Sequence, residues 1–429
     1  MTRLPGLAGG RLRDVSALTQ GPLARALSAL NGEGEETRVV GGAVRDLLLG
    51  LTAEDHDLVT TARPEEVIRR AGAAGFRIAT PGLAHGTVTL IMDGRTIETT
   101  TLREDVDTDG RHATVVFGRD FTADARRRDF TINALSLSPD GLVHDPVGGL
   151  ADLAVGHVRF IGDADARIRE DYLRILRFFR FSARFGGGAV DTEGLGAAIR
   201  HRRALRRLSR ERVRTEILKL VVAPYAGRIV RAMNECGILQ ETLGFAWSGR
   251  FERAVAIEAA RGAKPDALLR LAALSALIPE DAERLRDRLR LANAECRRID
   301  CATRALTALH GLERPPAADA LRVLLFSAGR QAARDALLLA QANSLAAPDD
   351  PAFAEADRFL AQTRSPELPL TGGDLIARGV AEGRGVGEIL RAFRSLWIQA
   401  GFPVEPEEVD RLVKIAIETL AAGLNPKAG

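Results

Sequence analysis

The sequence is poor in cysteine. Its three cysteines, Cys236, Cys296 and Cys301, are odd in number and lack the paired spacing of a zinc site. That excludes a disulfide-stapled scaffold and reads as free thiols in a reducing compartment. A long apolar run is missing from the first thirty residues, which Gly, Arg and Asp interrupt throughout. Neither a signal peptide nor a membrane span tolerates such breaks, so no membrane partner and a cytoplasmic setting are expected. There is no fixed-period repeat and no low-complexity tract. Strong charge of one sign is absent too, since 429 residues carry a formal net charge of only +3.

What is present is apolar content and local basic density. Hydrophobic residues make up 46% of the chain, which excludes disorder, and the length suggests about two to three domains. Arg126, Arg127 and Arg128 adjoin one another. Arg200, Arg202, Arg203, Arg206, Arg207, Arg210, Arg212 and Arg214 crowd a second stretch, around His201. Such clusters meet a phosphate backbone even at near-zero net charge, and a solvated helix face is the alternative reading.

The chain changes character near residue 150. Before it, short β-rich runs are expected at 38–40, 56–59, 87–92, 95–100, 114–117 and 133–137, two of them meeting across Asp93-Gly94 as a hairpin. Helical patterns cover 43–49 and 64–74, the latter with Pro64 in its first turn. A mixed domain with a largely antiparallel sheet follows from these. After residue 150, Ala, Leu and Arg recur at helical spacing between Pro and Gly breakers, and no His-Asp metal-hydrolase signature is evident there. The fold class is therefore α+β: an α/β head followed by helices.

The chemistry begins at Val39-Val40-Gly41-Gly42-Ala43-Val44-Arg45-Asp46, where a β-run ends in two glycines and a helix starts. Glycines there let backbone N–H groups approach a ligand, and a helix N-terminus favours an anion such as a triphosphate. Arg45 adds a fixed charge. Asp55 and Asp57, two apart at the start of a β-run, point to one face of a strand. Like charges side by side destabilise a sheet unless a cation lies between them, and hard oxygen ligands suit Mg²⁺. A solvated strand end is the plain alternative; the glycine turn and Arg45 favour the metal. Glu98, on a second β-run, reads equally as a further ligand, a general base or a surface residue.

These residues resemble the signature of the class II tRNA nucleotidyltransferase and bacterial poly(A) polymerase family. A second block agrees: Arg127-Arg128-Asp129-Phe130-Thr131-Ile132-Asn133, then Asp145-Pro146-Val147-Gly148-Gly149. A third contains Glu170, Asp171, Arg174, Arg177 and Arg180, a fourth Glu211, Arg212 and Glu216, and a fifth Thr371-Gly372-Gly373-Asp374. Their order is the family's, and they span most of the chain. The resemblance implies a polymerase-β-like nucleotidyltransferase head at 20–150, a helical neck at 151–225 that reads the base, and a helical body and tail at 226–429 that binds tRNA. It implies template-independent addition of C, C and A to a tRNA 3′ end from CTP and ATP, with two Mg²⁺ ions. No role for DNA is implied. A bacterial-type poly(A) polymerase is the alternative within the family, and a catalytically silent RNA-binding protein on the same scaffold is the alternative from another class.

Asp55, Asp57 and Glu98 are the candidate catalytic residues, with Asp55 and Asp57 on the metal and the role of Glu98 left open. The resemblance places Gly42, Arg45, Arg128, Asp129, Asn133, Asp171, Arg174, Arg177 and Arg180 around the nucleotide. Asp129 and Asn133 would lie near the ribose, whose 2′-hydroxyl both donates and accepts, although a helix cap and a buried amide fit them equally. Asp171 and Arg174, three apart with no breaker between, are expected on one helix face, where an ordinary pair would be worth ~0.2–0.5 kcal/mol. Beside each other they form an acceptor and a donor. Cytosine and adenine each offer an amino donor next to a ring-nitrogen acceptor, so both fit. Uracil and guanine leave like facing like, at ~1–3 kcal/mol for each mismatch. Finally, 103–118 reads as a polar loop, similar to the flexible loop that CCA-adding members use when switching from CTP to ATP.

Overall fold

The computed structural model describes residues 4–53, 56–108 and 113–421. The chain forms two compact units, Met1–Gly244 and Phe245–Gly429. Residues 226–244, expected with the body, pack within the first unit.

In the first unit, after a short ribbon of Leu7–Ala8 and Arg11–Leu12, the strands are β1 (Thr37–Val40), β2 (His56–Thr60), β3 (Arg77–Ala79), β4 (Thr87–Met92), β5 (Arg95–Thr101), β6 (Arg103–Thr108), β7 (Ala113–Phe117), β8 (Ser136–Leu137) and β9 (Val143–His144). Seven of them make one sheet in the order β9-β8-β1-β2-β5-β4-β3. Every neighbouring pair is antiparallel except β2 and β5. The β4–β5 hairpin turns at Asp93 and Gly94, whose φ values of 51° and 72° are those a two-residue turn requires. Helices α1 (Gly21–Leu30) and α3 (Pro64–Ala73) pack on the sheet through Leu23, Leu27, Leu30, Val67 and Ala71. Between them in sequence, α2 (Gly42–Leu48) follows the glycine turn. Inside the sheet, Thr37 Oγ1 donates to Thr60 Oγ1 at 2.8 Å, so two buried hydroxyls satisfy each other across β1 and β2.

Two expected elements differ. Residues 103–118, read as a loop apart from the strand expected at 114–117, form a two-stranded ribbon of β6 and β7, with 109–112 outside the described residues. The strand expected at 133–137 is only β8, because Thr131–Asn133 forms a 3₁₀ turn.

Helix α4 (Phe121–Arg126) leads into this turn, and α5 (Gly149–Val155) packs against it. Asp145 caps α5 by accepting from the N–H groups of Gly149 and Leu150 at 2.7 and 2.9 Å. Next come α6 (Ala164–Glu170), α7 (Leu173–Phe185), α8 (Thr192–His201), α9 (Arg210–Val221) and α10 (Ala226–Glu235). The core of α7 is aromatic. Phe178 stacks on Phe160 at 5.3 Å between centroids, and Phe160 lies 4.9 Å from Phe130, so the 3₁₀ turn and α7 share one apolar cluster.

The second unit is helical throughout its described residues. Ten of the fourteen residues of helix Arg330–Asn343 are buried, and a buried ion pair joins Arg270 to Glu258 at 2.5 Å. Helices Gly372–Ala377, Arg384–Gln399 and Pro406–Ala421 share an apolar cluster around Phe393 and Trp397. No helix among the described residues is long and apolar enough to cross a membrane.

Gly149 lies so close to the 3₁₀ turn that a Cβ would fall 2.2 Å from the Thr131 carbonyl oxygen. Gly149→Ala is therefore expected to destabilise the first unit by about 2 kcal/mol, lowering Tm by roughly 4–8 °C. Gly249→Ala, in a helix where the added carbon meets nothing within 4 Å, serves as the control and should melt no lower than wild type. Equal melting of both variants would refute the close approach.

Candidate active site

The site grows from β1, β2 and the turn after β1. Gly41 has φ 70° and ψ −130°, and a Cβ there would sit 3.1 Å from Arg128 Nη1, so a side chain would meet both backbone strain and a guanidinium. The N–H groups that open α2 lack acceptors within the helix, and Gly42 and Ala43 line the same space. On the neighbouring strand Asp57 is exposed, paired in register with Val40 on one side and Glu98 on the other. Residues paired in a parallel ladder present side chains to one face, so Asp57 and Glu98 stand side by side. Asp55 lies outside the described residues. Val40, Val59, Leu102 and Phe121 form a small apolar cluster beside these strand positions.

A cavity of about 860 Å³ opens in front of this turn, within the first unit. Its wall holds Gly41, Gly42, Asp57, Arg128, Asp129, Asn133, Asp171, Arg174, Arg177 and Arg180, all but Asp57 being expected nucleotide contacts or their turn partner. Arg45 lines it as well, but as a buried strut with 5% of its surface exposed. Its Nε and Nη2 donate to Asp46 at 2.9 and 2.8 Å, its Nη1 donates to Asn133 at 2.5 Å, and the Phe185 ring lies 4.1 Å away. Burial lowers the Arg45 pKa, opposed by Asp46.

Both oxygens of Asp129 are met by donors. Oδ1 accepts from the Phe130 N–H at 2.9 Å and from Asn133 Nδ2 at 3.0 Å, and Oδ2 accepts from Arg177 Nε at 2.7 Å. Arg177 Nη2 stands a further 2.6 Å from Oδ2. Arg128 donates through Nε and Nη2 to Asp124 at 3.1 and 2.8 Å, and Arg127 bonds the same carboxylate. Burial raises the Asp124 pKa, yet the two guanidiniums outweigh it and hold the carboxyl below its ordinary value of 3.8.

The expected Asp171–Arg174 pair is arranged differently. Asp171 is not in the same helix as Arg174; it is the extended residue between α6 and α7, with φ −153° and ψ 108°. Its Oδ1 accepts from the Leu173 N–H at 3.1 Å, which breaks the helical run, and its Oδ2 lies 2.6 Å from Arg212 Nη2. Arg174 instead pairs with Glu170 at 2.5 Å and donates to the Arg167 carbonyl at 2.9 Å. Both still face the cavity. Arg180 pairs with buried Glu216 at 2.6 Å; burial lowers its pKa and Glu216 offsets it.

Arg184, Lys219 and Phe181 also line the cavity and were not foreseen. Two had a signal. Arg184 extends the face of Arg177 and Arg180 by another turn, and Lys219 falls at helical spacing after Arg212 and Glu216. Seven cations line the wall in all, and six have a carboxylate within 3.5 Å. Lys219 alone has no such partner among the described residues. The second arginine cluster is likewise partly neutralised, with Arg200 and His201 on Asp165 and Arg206 on Glu241.

Comparison with known proteins agrees with this geometry. A family model described as the Poly A polymerase head domain matches residues 37–159, and one described as the probable RNA and SrmB-binding site of polymerase A matches 190–245. The CCA tRNA nucleotidyltransferase 1, mitochondrial, of Mus musculus is 32% identical over 396 residues, 89% of this chain and 87% of that protein. Its Danio rerio counterpart is 42% identical over 264 residues; the chain spans 61% of that relative's length. The crystal structure of the Bacillus stearothermophilus CCA-adding enzyme in complex with CTP superposes with a TM-score of 0.69 at 27% identity, covering 95% of this chain and 98% of that one.

The Asp124 clamp gives a pH signature. Its folded pKa is depressed, so its stabilisation is present above about pH 3.8 and is lost as pH falls through the lower folded value. Asp124→Asn should cost about 2 kcal/mol at pH 7, discounted because Arg127 and Arg128 are partly exposed. In urea unfolding followed from pH 7 to pH 3, the deficit should shrink in the most acidic samples. A deficit independent of pH would mean that the pairing is not ionic.

Proposed function

Because the chain belongs to the CCA-adding enzymes, the tRNA nucleotidyltransferases, we propose that it adds C, C and A to the 3′ end of tRNA from CTP and ATP, releasing pyrophosphate. The observation that carries this reading is one cavity holding Asp57, the Gly41–Gly42 turn and the Asp171 and Arg174 side chains. Catalysis, phosphate binding and base choice then share one space.

Members of this fold use divalent metal. Asp57 and Glu98, side by side across β2 and β5, are hard oxygen donors of the kind Mg²⁺ prefers, and the sequence adds Asp55 two residues before Asp57. When bound, two Mg²⁺ ions would lower the pKa of the attacking 3′-hydroxyl and stabilise the leaving pyrophosphate. The protein supplies the rest. The glycine turn and the start of α2 receive the triphosphate, with Arg128 beside Gly41. The 3′ oxygen attacks the α-phosphorus, the bond to the β-phosphate oxygen breaks, and the hydroxyl proton leaves to Glu98 or solvent. Asp129 and Asn133 wall the ribose side and hold Arg177 and Arg45 in place.

Base choice rests on Asp171 as acceptor and Arg174 as donor. Each is steadied from behind, by Arg212 and by Glu170, so the edges facing the cavity keep their orientation. C and A satisfy both, whereas U and G do not. Within the first unit, 20–150 is the catalytic head and 151–225 the base-reading neck in this proposal. Residues 226–429 hold the tRNA through its backbone shape. The free cysteines fit a reducing setting such as the cytoplasm.

Supplying one nucleoside triphosphate at a time to a tRNA lacking its CCA end tests the activity. Two C residues from CTP and then one A from ATP are expected. Long A tracts without C would transfer the chain to poly(A) addition, and no incorporation at all would leave a silent RNA-binding protein. Asp57→Ala should lower incorporation by roughly three orders of magnitude while tRNA binding persists. Asp171→Ala should erode discrimination against UTP by roughly 10–100-fold with the polymerising step still measurable. Unchanged discrimination would remove Asp171 from base reading.

A further inference from the structure

A second cavity of about 760 Å³ adjoins the nucleotide cavity, and the two share Arg184 and Lys219 in their walls. Its remaining wall is mostly apolar, and three large side chains there stay exposed: Leu51 at 47%, Val155 at 69% and Tyr225 at 45%. Leu51 is followed directly by Thr52 and Ala53, which line the nucleotide cavity on the way to the Asp57 strand.

We propose that this cleft seats the 3′-terminal nucleotides of the RNA being extended, with Tyr225 stacking beneath a base and Lys219 meeting a backbone phosphate. The inference rests on the nucleotide-adding function proposed above.

Three observations favour RNA over an apolar ligand. First, Lys219 is the one cation of the nucleotide cavity without a carboxylate partner among the described residues, so its charge is available to an anion. The six arginines beside it are already neutralised within the protein. Second, an exposed tyrosine and a cation without a carboxylate partner line one wall here, the combination by which single strands are gripped, a ring for the base and a charge for the phosphate. Third, the attacking 3′-hydroxyl must lie within about 3–3.5 Å of the α-phosphorus, so the primer has to enter through space continuous with the nucleotide cavity. This cleft meets it along the shared side chains Arg184 and Lys219.

A stacking platform also suits the task. The terminal base changes with each addition, and a ring face accepts any base, whereas a hydrogen-bonding site would reject some. Tyr225 is held as a platform needs to be: its N–H donates to the Ala183 carbonyl at 3.0 Å, and its Cβ lies 3.5 Å from where a Gly188 side chain would begin.

The test uses the full-length enzyme and tRNA lacking its CCA end. Tyr225→Ala should raise the KM for tRNA roughly five-fold or more, with the KM for CTP unchanged, and Tyr225→Phe should restore it because the ring remains. Lys219→Gln should flatten the dependence of log KM for tRNA on log salt by about 0.7, the loss of one phosphate contact. A 3′-terminal 4-thiouridine on the same RNA, irradiated with wild-type enzyme, should crosslink to the peptide containing Tyr225, a readout that needs no turnover. Crosslinks confined to other segments, a wild-type tRNA KM in Tyr225→Ala, or an effect falling on CTP instead would each overturn the assignment. Failure of the wild-type enzyme to incorporate nucleotide, by contrast, strikes at the function and not at the cleft.

Discussion

The site depends on the bond between Asp129 and Arg177. A carboxylate with 7% of its surface exposed is costly unless its oxygens are met by donors, and here the donors come from two places. The Phe130 N–H and Asn133 belong to the turn after α4, whereas Arg177 belongs to α7, 48 residues further on. One buried charge thus fastens the β-rich part of the unit to the helix carrying most of the cavity's cations. Asn133 passes the constraint to Arg45, Arg45 to Asp46, and Asp46 faces Arg184 on α7 again. The Phe130, Phe160 and Phe178 cluster supplies the apolar side of the same joint. Direction comes from the ion pair and cohesion from the rings.

That joint also explains how so much positive charge is tolerated in one wall. Unpaired, the arginines would repel one another through a medium less screening than water. Each therefore has a carboxylate behind it, drawn from α2, α4, α6, α9 or the turn. Arginine suits this use because its planar fork can bond a carboxylate on one edge and leave another edge for a ligand. A cavity so arranged needs little reorganisation when phosphates arrive, which is where electrostatic stabilisation gains its strength. Glu216 illustrates the cost side: buried beside Arg180, it is stable only because the guanidinium is there.

Local features were legible in the sequence, and distant pairings were not. The run at 87–92 is a strand over the same residues, and Asp93-Gly94 turns the hairpin, because alternation and turn chemistry act between neighbours. The glycine turn, the Asp57 strand and the helical remainder were readable for the same reason. The parallel pairing that sets Glu98 beside Asp57 was not, since register between strands forty residues apart depends on packing. Nor was Arg212 visible as the partner of Asp171, or Glu216 of Arg180, each pair joining segments far apart in sequence. The second strand of the ribbon was expected at 114–117, but the first, at 103–108, escaped because its polar composition hides a β pattern. Asn133 was drawn out of an expected strand by its bond to Asp129, a side-chain competitor that periodicity does not register.

The break at Asp171 is the most instructive departure. Nothing between Arg167 and Arg180 is a glycine or proline, so periodicity favours one helix. Asp171 nevertheless accepts the Leu173 N–H, adopts an extended backbone and starts α7 anew. The consequence is chemical. On a continuous helix Asp171 and Arg174 would satisfy each other, and reading a base would first require parting them. In the broken arrangement Asp171 turns to Arg212 and Arg174 to Glu170, so neither is spent on the other. In the proposed function, a base entering between them would complete hydrogen bonds without first breaking an acceptor–donor pair, and preorganisation of this kind raises affinity by lowering the cost of binding. The interrupted helix is thus what would let these two side chains act as the proposed template.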